Sequence, residues 1–233
     1  MTEDTSFLRQ IRSFVCRQGR MTQNQERALA ELMPLFALSL SNGFVDFNKV
    51  FNNSSDCILE IGFGMGHSLL QAAEENPDKN FIGIETHLPG VGSLLAGIEQ
   101  RNLKNIRVYH ADAVRVLTEC IPNNSIAEVQ IFFPDPWPKR RHHKRRLIQT
   151  EFIQQIITKL KPNGLIHLAT DWEDYATHMI RVLSNFPQLK NTAGENNYAI
   201  RSANRPALTR FELRGQRAGH LIRELQFVLL DFI

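Results

Sequence analysis

Residues 59–66 read LEIGFGMG. The apolar run Cys57–Ile61 predicts a strand that ends in glycines at 62, 64 and 66, with Glu60 two positions before the first of them. Glycine at such a turn permits positive φ and lets backbone approach a ligand closely. Outward from it the pattern alternates. Ser68–Glu75 predicts a helix, Asn80–Glu85 a strand, Gly90–Arg101 a helix, Ile106–His110 a strand, Val114–Cys120 a helix and Ile126–Phe133 a strand. An amphipathic helix of about 15 residues follows, with Leu147, Ile148, Phe152, Ile153, Ile156, Ile157 and Leu160 at helical spacing and Pro162-Asn163-Gly164 as its stop. Leu165–Thr170 predicts a strand closing on Asp171-Trp172, then a helix buries Tyr175, Met179, Ile180 and Leu183. The tail offers strands near Arg210–Leu213 and Leu225–Leu230. Alternation of this kind defines an α/β fold: a doubly wound, mostly parallel seven-stranded sheet, with an antiparallel C-terminal hairpin at one edge.

Three acids close three successive strands. Glu60 stands at the glycine loop, Glu85 ends the second strand about 20 residues on, and Asp112 follows the third. In wound sheets ligands bind at that carboxyl edge. The spacing departs from the dinucleotide fingerprint GxGxxG, because the third glycine falls one residue early and His67 holds the sixth position. Glu60 would also repel a pyrophosphate, yet it suits a cationic amino-acid moiety. Glu85 is placed to accept from ribose hydroxyls and Asp112 from the exocyclic amine of adenine. A ribose, an adenine, an amino-acid tail and no phosphate describe S-adenosylmethionine. Any one such acid is more commonly a helix N-cap; their joint register makes the cofactor the stronger reading.

Residues 132–146 read FFPDPWPKRRHHKRR. Asp135 sits between Pro134 and Pro136, whose fixed φ stiffens the loop and aims the carboxylate. Trp137 offers a platform for a base, a lid or a core residue. Lys139, Arg140, Arg141, Lys144, Arg145 and Arg146 follow, with His142 and His143 among them. Without those six cations the net charge of +3 becomes −3, so the basicity is a patch. A patch is the footprint expected for a phosphate backbone. At the start of a helix these cations would oppose the macrodipole, a cost that bound phosphates offset. They position a nucleic acid and do not read its sequence.

The remaining composition is that of a soluble globular chain, 42% hydrophobic and 22% charged over 233 residues. No run approaches the roughly 18 apolar residues of a membrane span, and MTEDTSFLRQ lacks a secretory pattern. Cys16, Cys57 and Cys120 form no CxxC, so no metal and no disulfide framework are expected. A cytoplasmic location and no membrane partner follow as expectations. The first fifty residues carry Arg9, Arg12, Arg17 and Arg20 and predict one helix, Gln23–Leu38, interrupted at Pro34.

Downstream, Arg205–His220 contains Thr209, Arg210, Phe211 and Glu212. Such a cluster is by default an internal salt bridge. With Asp135 and Asp171 it also suits a guanine, whose N1–H and exocyclic amine donate to carboxylates.

FVCRQGRMT, LEIGFGMG, GIETHLPGVG, FPDPWPKRRHHKRR, TDWEDYA and RPALTRFELRG, in this order across nearly the whole chain, resemble the bacterial tRNA (guanine-N7-)-methyltransferases. FPDPWPKRRHHKRR is specific by itself. The chain departs from the family's pattern at Ala218 and Leu221–Glu224, where bulkier or aromatic residues are expected. The resemblance implies a Rossmann-like class I methyltransferase domain over residues 51–233, with residues 1–50 as a partly irregular extension. It implies methyl transfer from S-adenosylmethionine, leaving S-adenosylhomocysteine, to N7 of a variable-loop guanosine in tRNA. Glu60, Gly62, Gly64, Gly66, Glu85, Asp112 and Asp135 would form the donor site. Lys139, Asp171 and Thr209–Glu212 would form the substrate site, and Arg141–Arg146 would contact RNA. Guanine N7 carries a lone pair and no proton, so no general base is required. Asp135 is then the catalytic candidate, stabilising the cation that develops on the base. Oligomeric state stays open between monomer and homodimer. On chemistry alone, methylation of an exocyclic base amine and a non-catalytic RNA-binding module remain rivals. A nicotinamide dehydrogenase is disfavoured by the glycine spacing.

Overall fold

The computed structural model describes residue 13 and residues 19–201, 210–217 and 219–231. Seven strands form one sheet: β1 (Cys57–Ile61), β2 (Asn80–Glu85), β3 (Ile106–His110), β4 (Ile126–Phe132), β5 (Leu160–Thr170), β6 (Leu189–Asn191) and β7 (Arg223–Leu229). Their order is β3-β2-β1-β4-β5-β7-β6. Neighbours from β3 through β5 are parallel, and β7 runs antiparallel between β5 and β6. Among the described residues the α-helices are α1 (Gln23–Phe36), α2 (Phe47–Phe51), α3 (His67–Glu75), α4 (Leu88–Gln100), α5 (Ala113–Glu119), α6 (Thr150–Lys159), α7 (Glu173–Ser184) and α8 (Arg210–Arg217). Leu32, Leu69, Leu94 and Ile98 bury one face of the sheet against α1, α3 and α4. Val116, Phe152, Ile156 and Met179 bury the other against α5, α6 and α7. The doubly wound architecture is therefore as expected.

Three details differ from the expectation, each for a physical reason. β7 pairs antiparallel with both β5 and β6, and the last two segments form no hairpin, because residues 210–217 are helical. Alternation over four residues fits a strand, but Glu212 and Gly215 are both buried and lie three residues apart, on one helical face. The amphipathic helix starts at Thr150, and the cations before it form a separate 3-10 helix, Arg140–Arg145. They consequently do not oppose the α6 dipole. Finally, Pro34 lies within α1 without breaking it. Its lost N–H falls in the last turn, and Ala37 still donates to the Met33 carbonyl at 2.9 Å. Thr22 and Gln25 cap α1 reciprocally. Beyond its end Leu38 N–H donates to the Val108 carbonyl at 2.8 Å, fastening the segment to the edge strand β3.

Polar groups are buried where β4, β5 and β7 meet. His167 on β5 is 2% exposed. Its Nε2 lies 2.9 Å from Glu224 and its Nδ1 3.5 Å from Glu128, and its ring packs edge-on against Phe132. Glu224, within the stretch that departs from the family's pattern, is thus a buried partner. Burial pushes the imidazole pKa down, but the hydrogen bonds and charges of Glu128 and Glu224 outweigh it and hold it above the ordinary histidine value. A pKa raised in the folded state stabilises fully below about 6.5, the unfolded value, and that stabilisation is lost as pH rises through the folded value. His167→Gln is expected to cost about 3 kcal/mol at pH 6 and less at pH 9. Urea midpoints at the two pH values check this. An equal deficit at both would show that the imidazolium is not the stabilising species.

Candidate active site at the carboxyl edge of the sheet

β1 delivers the chain into Gly62, Gly64 and Gly66, with φ of 78°, 60° and 79°. L side chains rarely adopt these angles, so the loop needs glycine. A Cβ on Gly62 or Gly64 would point into open space, so the loop's outer side is free to face a ligand. Glu85 at the end of β2 holds the loop. Its Oε2 accepts from Gly64 N–H at 2.8 Å, and its Oε1 accepts from Thr86 and His87 N–H at 2.6 and 2.9 Å. Gly90 in the first turn of α4 lies against the same loop: a Cβ there would stand 2.0 Å from the Gly64 carbonyl oxygen. Glu60, 3% exposed, lines a cavity of about 100 Å3 with the glycine loop, Phe132 and Phe133. That space suits one end of a larger ligand, the rest lying along the strand ends toward Glu85. Among the described residues no Lys or Arg lines this cavity. A lining with the Glu60 carboxylate and no described Lys or Arg fits a cationic amino-acid and sulfonium end and disfavours phosphate. S-adenosylmethionine therefore fits the residues present.

Asp112 is less plainly a ligand residue. Its side chain caps α5, accepting from Val114 N–H at 2.9 Å. That is the common role of a strand-end aspartate, and it leaves the second carboxylate oxygen for other contacts. Among the described residues no group of three or more His, Cys, Asp and Glu is placed to hold a metal ion.

β4 runs directly from the cavity into the loop that carries Asp135. Phe133 (φ 52°) and Trp137 (φ 46°) are both left-handed and bracket Pro134-Asp135-Pro136. Non-glycine residues in this region cost on the order of 1 kcal/mol or more each, and surrounding contacts must hold them. Phe133 N–H donates to the Ala169 carbonyl at 2.8 Å. Trp137 Nε1–H donates to the Ser13 carbonyl at 3.2 Å, and the Arg145 guanidinium lies 4.2 Å from the Trp137 ring centre. One face of the indole is thereby covered within the chain. Asp135 is solvent-exposed at the apex.

Arg146 corrects the sequence reading. It was expected to contact RNA, yet it is 2% exposed. Its Nε donates to the Pro136 carbonyl at 2.9 Å, its Nη2 pairs with Asp174, and its guanidinium lies over the Tyr175 ring at 4.8 Å. Arg146 therefore holds the Asp135 loop through the Pro136 carbonyl. Its bond and charge keep the Asp174 carboxyl below the usual range. Lys139, Arg140, Arg141 and Lys144 are exposed. Desolvation and the charges of Arg141, Arg145, Lys139 and Lys144 push His142 below the ordinary histidine value, so it is neutral at pH 7. His143 turns inward, its Nε2 3.1 Å from Arg146 Nη2.

At the end of β5, Asp171 meets α8. A Cβ on Gly215 would lie 3.0 Å from Asp171 Oδ2, and His220 Nδ1 is 3.5 Å from the same oxygen. Glu212, one turn earlier on α8, is fully buried and pairs with Arg201 Nε at 3.1 Å. The structure thus packs α8, the helix that carries Glu212, against Asp171 through Gly215. Arg210 and Phe211 begin α8. Thr209 and Ala218 lie outside the described residues, as do Cys16 and the arginines at 9, 12 and 17.

Sequence reasoning missed Gly90, Arg201, Tyr175 and the inward role of Arg146. The motif GIETHLPGVG contained a signal for Gly90: a glycine in the first turn of a helix that faces the glycine loop.

Comparison with known proteins agrees with this geometry. Residues 54–225 match the model of a family described as putative methyltransferase. The chain is 51% identical over 221 residues to the tRNA (guanine-N(7)-)-methyltransferase of Idiomarina loihiensis, covering 95% of this chain and 90% of that one. It is 50% identical over 223 residues to that of Pseudomonas putida strain F1, covering 96% and 92%. Among solved structures, the 16S rRNA methyltransferase KamB aligns with a TM-score of 0.59 at 14% identity, over 81% of this chain and 95% of that one; this likeness speaks for the fold alone. Fold and site together define a class I, S-adenosylmethionine-dependent methyltransferase. Within that class, the chain belongs to the tRNA (guanine-N7-)-methyltransferase family.

Proposed function

We infer that the protein transfers a methyl group from S-adenosylmethionine to N7 of a guanosine in the variable loop of tRNA, in the cytoplasm. One observation carries the reading. The cavity formed by Glu60 and the glycine loop, lined by no Lys or Arg among the described residues, ends at Phe132 and Phe133 on a stiffened loop bearing Asp135, which leads into exposed cations. When bound, the cofactor supplies an electrophilic methyl on a sulfonium. Glu60, Glu85 and Asp112 hold it by its amino-acid, ribose and adenine parts. Asp171 and Glu212 with Thr209, Arg210, Phe211 and Lys139 surround the base. Arg141, Lys144 and Arg145 take the RNA backbone. N7 has no proton to lose, so the residues act by placing it in line with the methyl and excluding water. The base becomes cationic on methylation, and Asp135 stabilises that charge as it develops.

The test is to incubate the protein with labelled cofactor and, separately, unmodified tRNA, ribosomal RNA and duplex DNA. Label is expected in tRNA. Label in another nucleic acid alone, or in none, would overturn the substrate assignment.

A further inference from the structure

A second cleft, of about 550 Å3, lies between the 3-10 helix Arg140–Arg145 and α7, away from the cofactor cradle. Arg140, His143, Arg146, Asp174, His178 and Arg181 line it. Asp174 takes up the charge of Arg146, so Arg140 and Arg181 supply the cleft's surplus positive charge. Both are exposed. Arg181 is also held in place: its Nη2 donates to His178 Nδ1 at 3.2 Å, while His178 Nε2 donates to the Ile148 carbonyl at 2.8 Å. A carbonyl only accepts, so the proton sits on Nε2, and Nδ1 is free to accept from the guanidinium. This requires a neutral imidazole. Burial first, and then the charges of Arg146, Arg181 and His143, keep His178 below the ordinary histidine value. The histidine fixes Arg181 in advance and leaves its remaining N–H groups for an anion.

The ordinary role of an arginine in the last turn of a helix is to complement the dipole. That role needs only the charge and does not need a buried histidine to orient the guanidinium. Nor does it account for Arg140 on the opposite wall. Orientation matters where planar, two-point contact with a phosphate is made.

We propose that Arg181, oriented by His178, forms with Arg140 a phosphodiester-binding subsite for a second stretch of RNA backbone, distinct from the stretch contacted by Arg141 and Lys144. This rests on the tRNA reading above and extends the RNA surface from residues 141–145 onto α7.

The test is a salt titration of unmodified tRNA binding to the full-length protein and its variants. Arg181→Gln is expected to weaken binding about tenfold and to reduce the slope of log affinity against log salt by about 0.7 to 0.9, with cofactor affinity unchanged. Arg181→Lys keeps the charge and is expected to keep the slope while still losing affinity. His178→Phe is expected to behave like Arg181→Lys, because it removes the orienting acceptor and not the cation. An Arg181→Gln variant with wild-type affinity and slope would overturn the subsite and leave the tRNA reading intact. A wild-type protein that binds no tRNA would instead overturn the reading on which the subsite rests.

Discussion

Asp135→Asn is expected to bind tRNA nearly as the wild type does and to lose about a hundredfold or more in turnover. The side chain is exposed at the apex of its loop, so the substitution leaves the core and the loop's anchors untouched. Phe133, Trp137 and Arg146 continue to fix the backbone through the Ala169, Ser13 and Pro136 carbonyls. The exposed cations proposed to hold the RNA, Arg141 and Lys144, lie beyond the loop. Only the negative charge is removed, and that charge matters most when the purine becomes cationic. A loss in kcat without a matching rise in KM is the signature of an interaction made in the transition state. Single-turnover rates with saturating cofactor and tRNA check this. Equal rates for the two proteins would remove Asp135 from the chemistry.

Gly90→Ala is expected to lower cofactor affinity at least tenfold and to destabilise the fold by about 1 to 3 kcal/mol. The added Cβ would stand 2.0 Å from the Gly64 carbonyl oxygen, an obstacle of backbone that no side-chain rotation relieves. Either α4 or the glycine loop must shift. Glu85 binds Gly64, Thr86 and His87, so movement of the loop also disturbs the carboxylate assigned to the ribose. Isothermal titration with S-adenosylhomocysteine and thermal melting measure the two effects. Wild-type affinity together with wild-type melting would show that this packing does not shape the cradle.

These two sites differ in how far the sequence discloses them. The glycine loop is legible because positive φ at positions 62, 64 and 66 demands glycine, and backbone demand is written locally. Strand-end acids are legible as positions but not as roles. Asp112 caps α5 with one oxygen, and nothing in its sequence neighbourhood separates a cap from a ligand. Arg145 and Arg146 look alike in a run of like charges. Asp174 and Tyr175, some thirty positions away, help draw Arg146 inward while Arg145 settles on Trp137. The segment 210–217 is too short for period to separate strand from helix. Its state follows from burial of Glu212 with Arg201 and of Gly215 against Asp171, and these contacts are non-local. Local stereochemistry thus shows where the site lies, while tertiary contacts decide which of its polar residues face inward.

The measurement that bears most directly on the account is the identity of the modified nucleoside. After reaction of unmodified tRNA with labelled S-adenosylmethionine, digestion to nucleosides and chromatography against standards is expected to place the label in N7-methylguanosine. Digestion of intact tRNA to oligonucleotides is expected to place it in the variable loop. Label on an exocyclic amine would contradict the account, since that chemistry requires loss of a proton and gives Asp135 a different task.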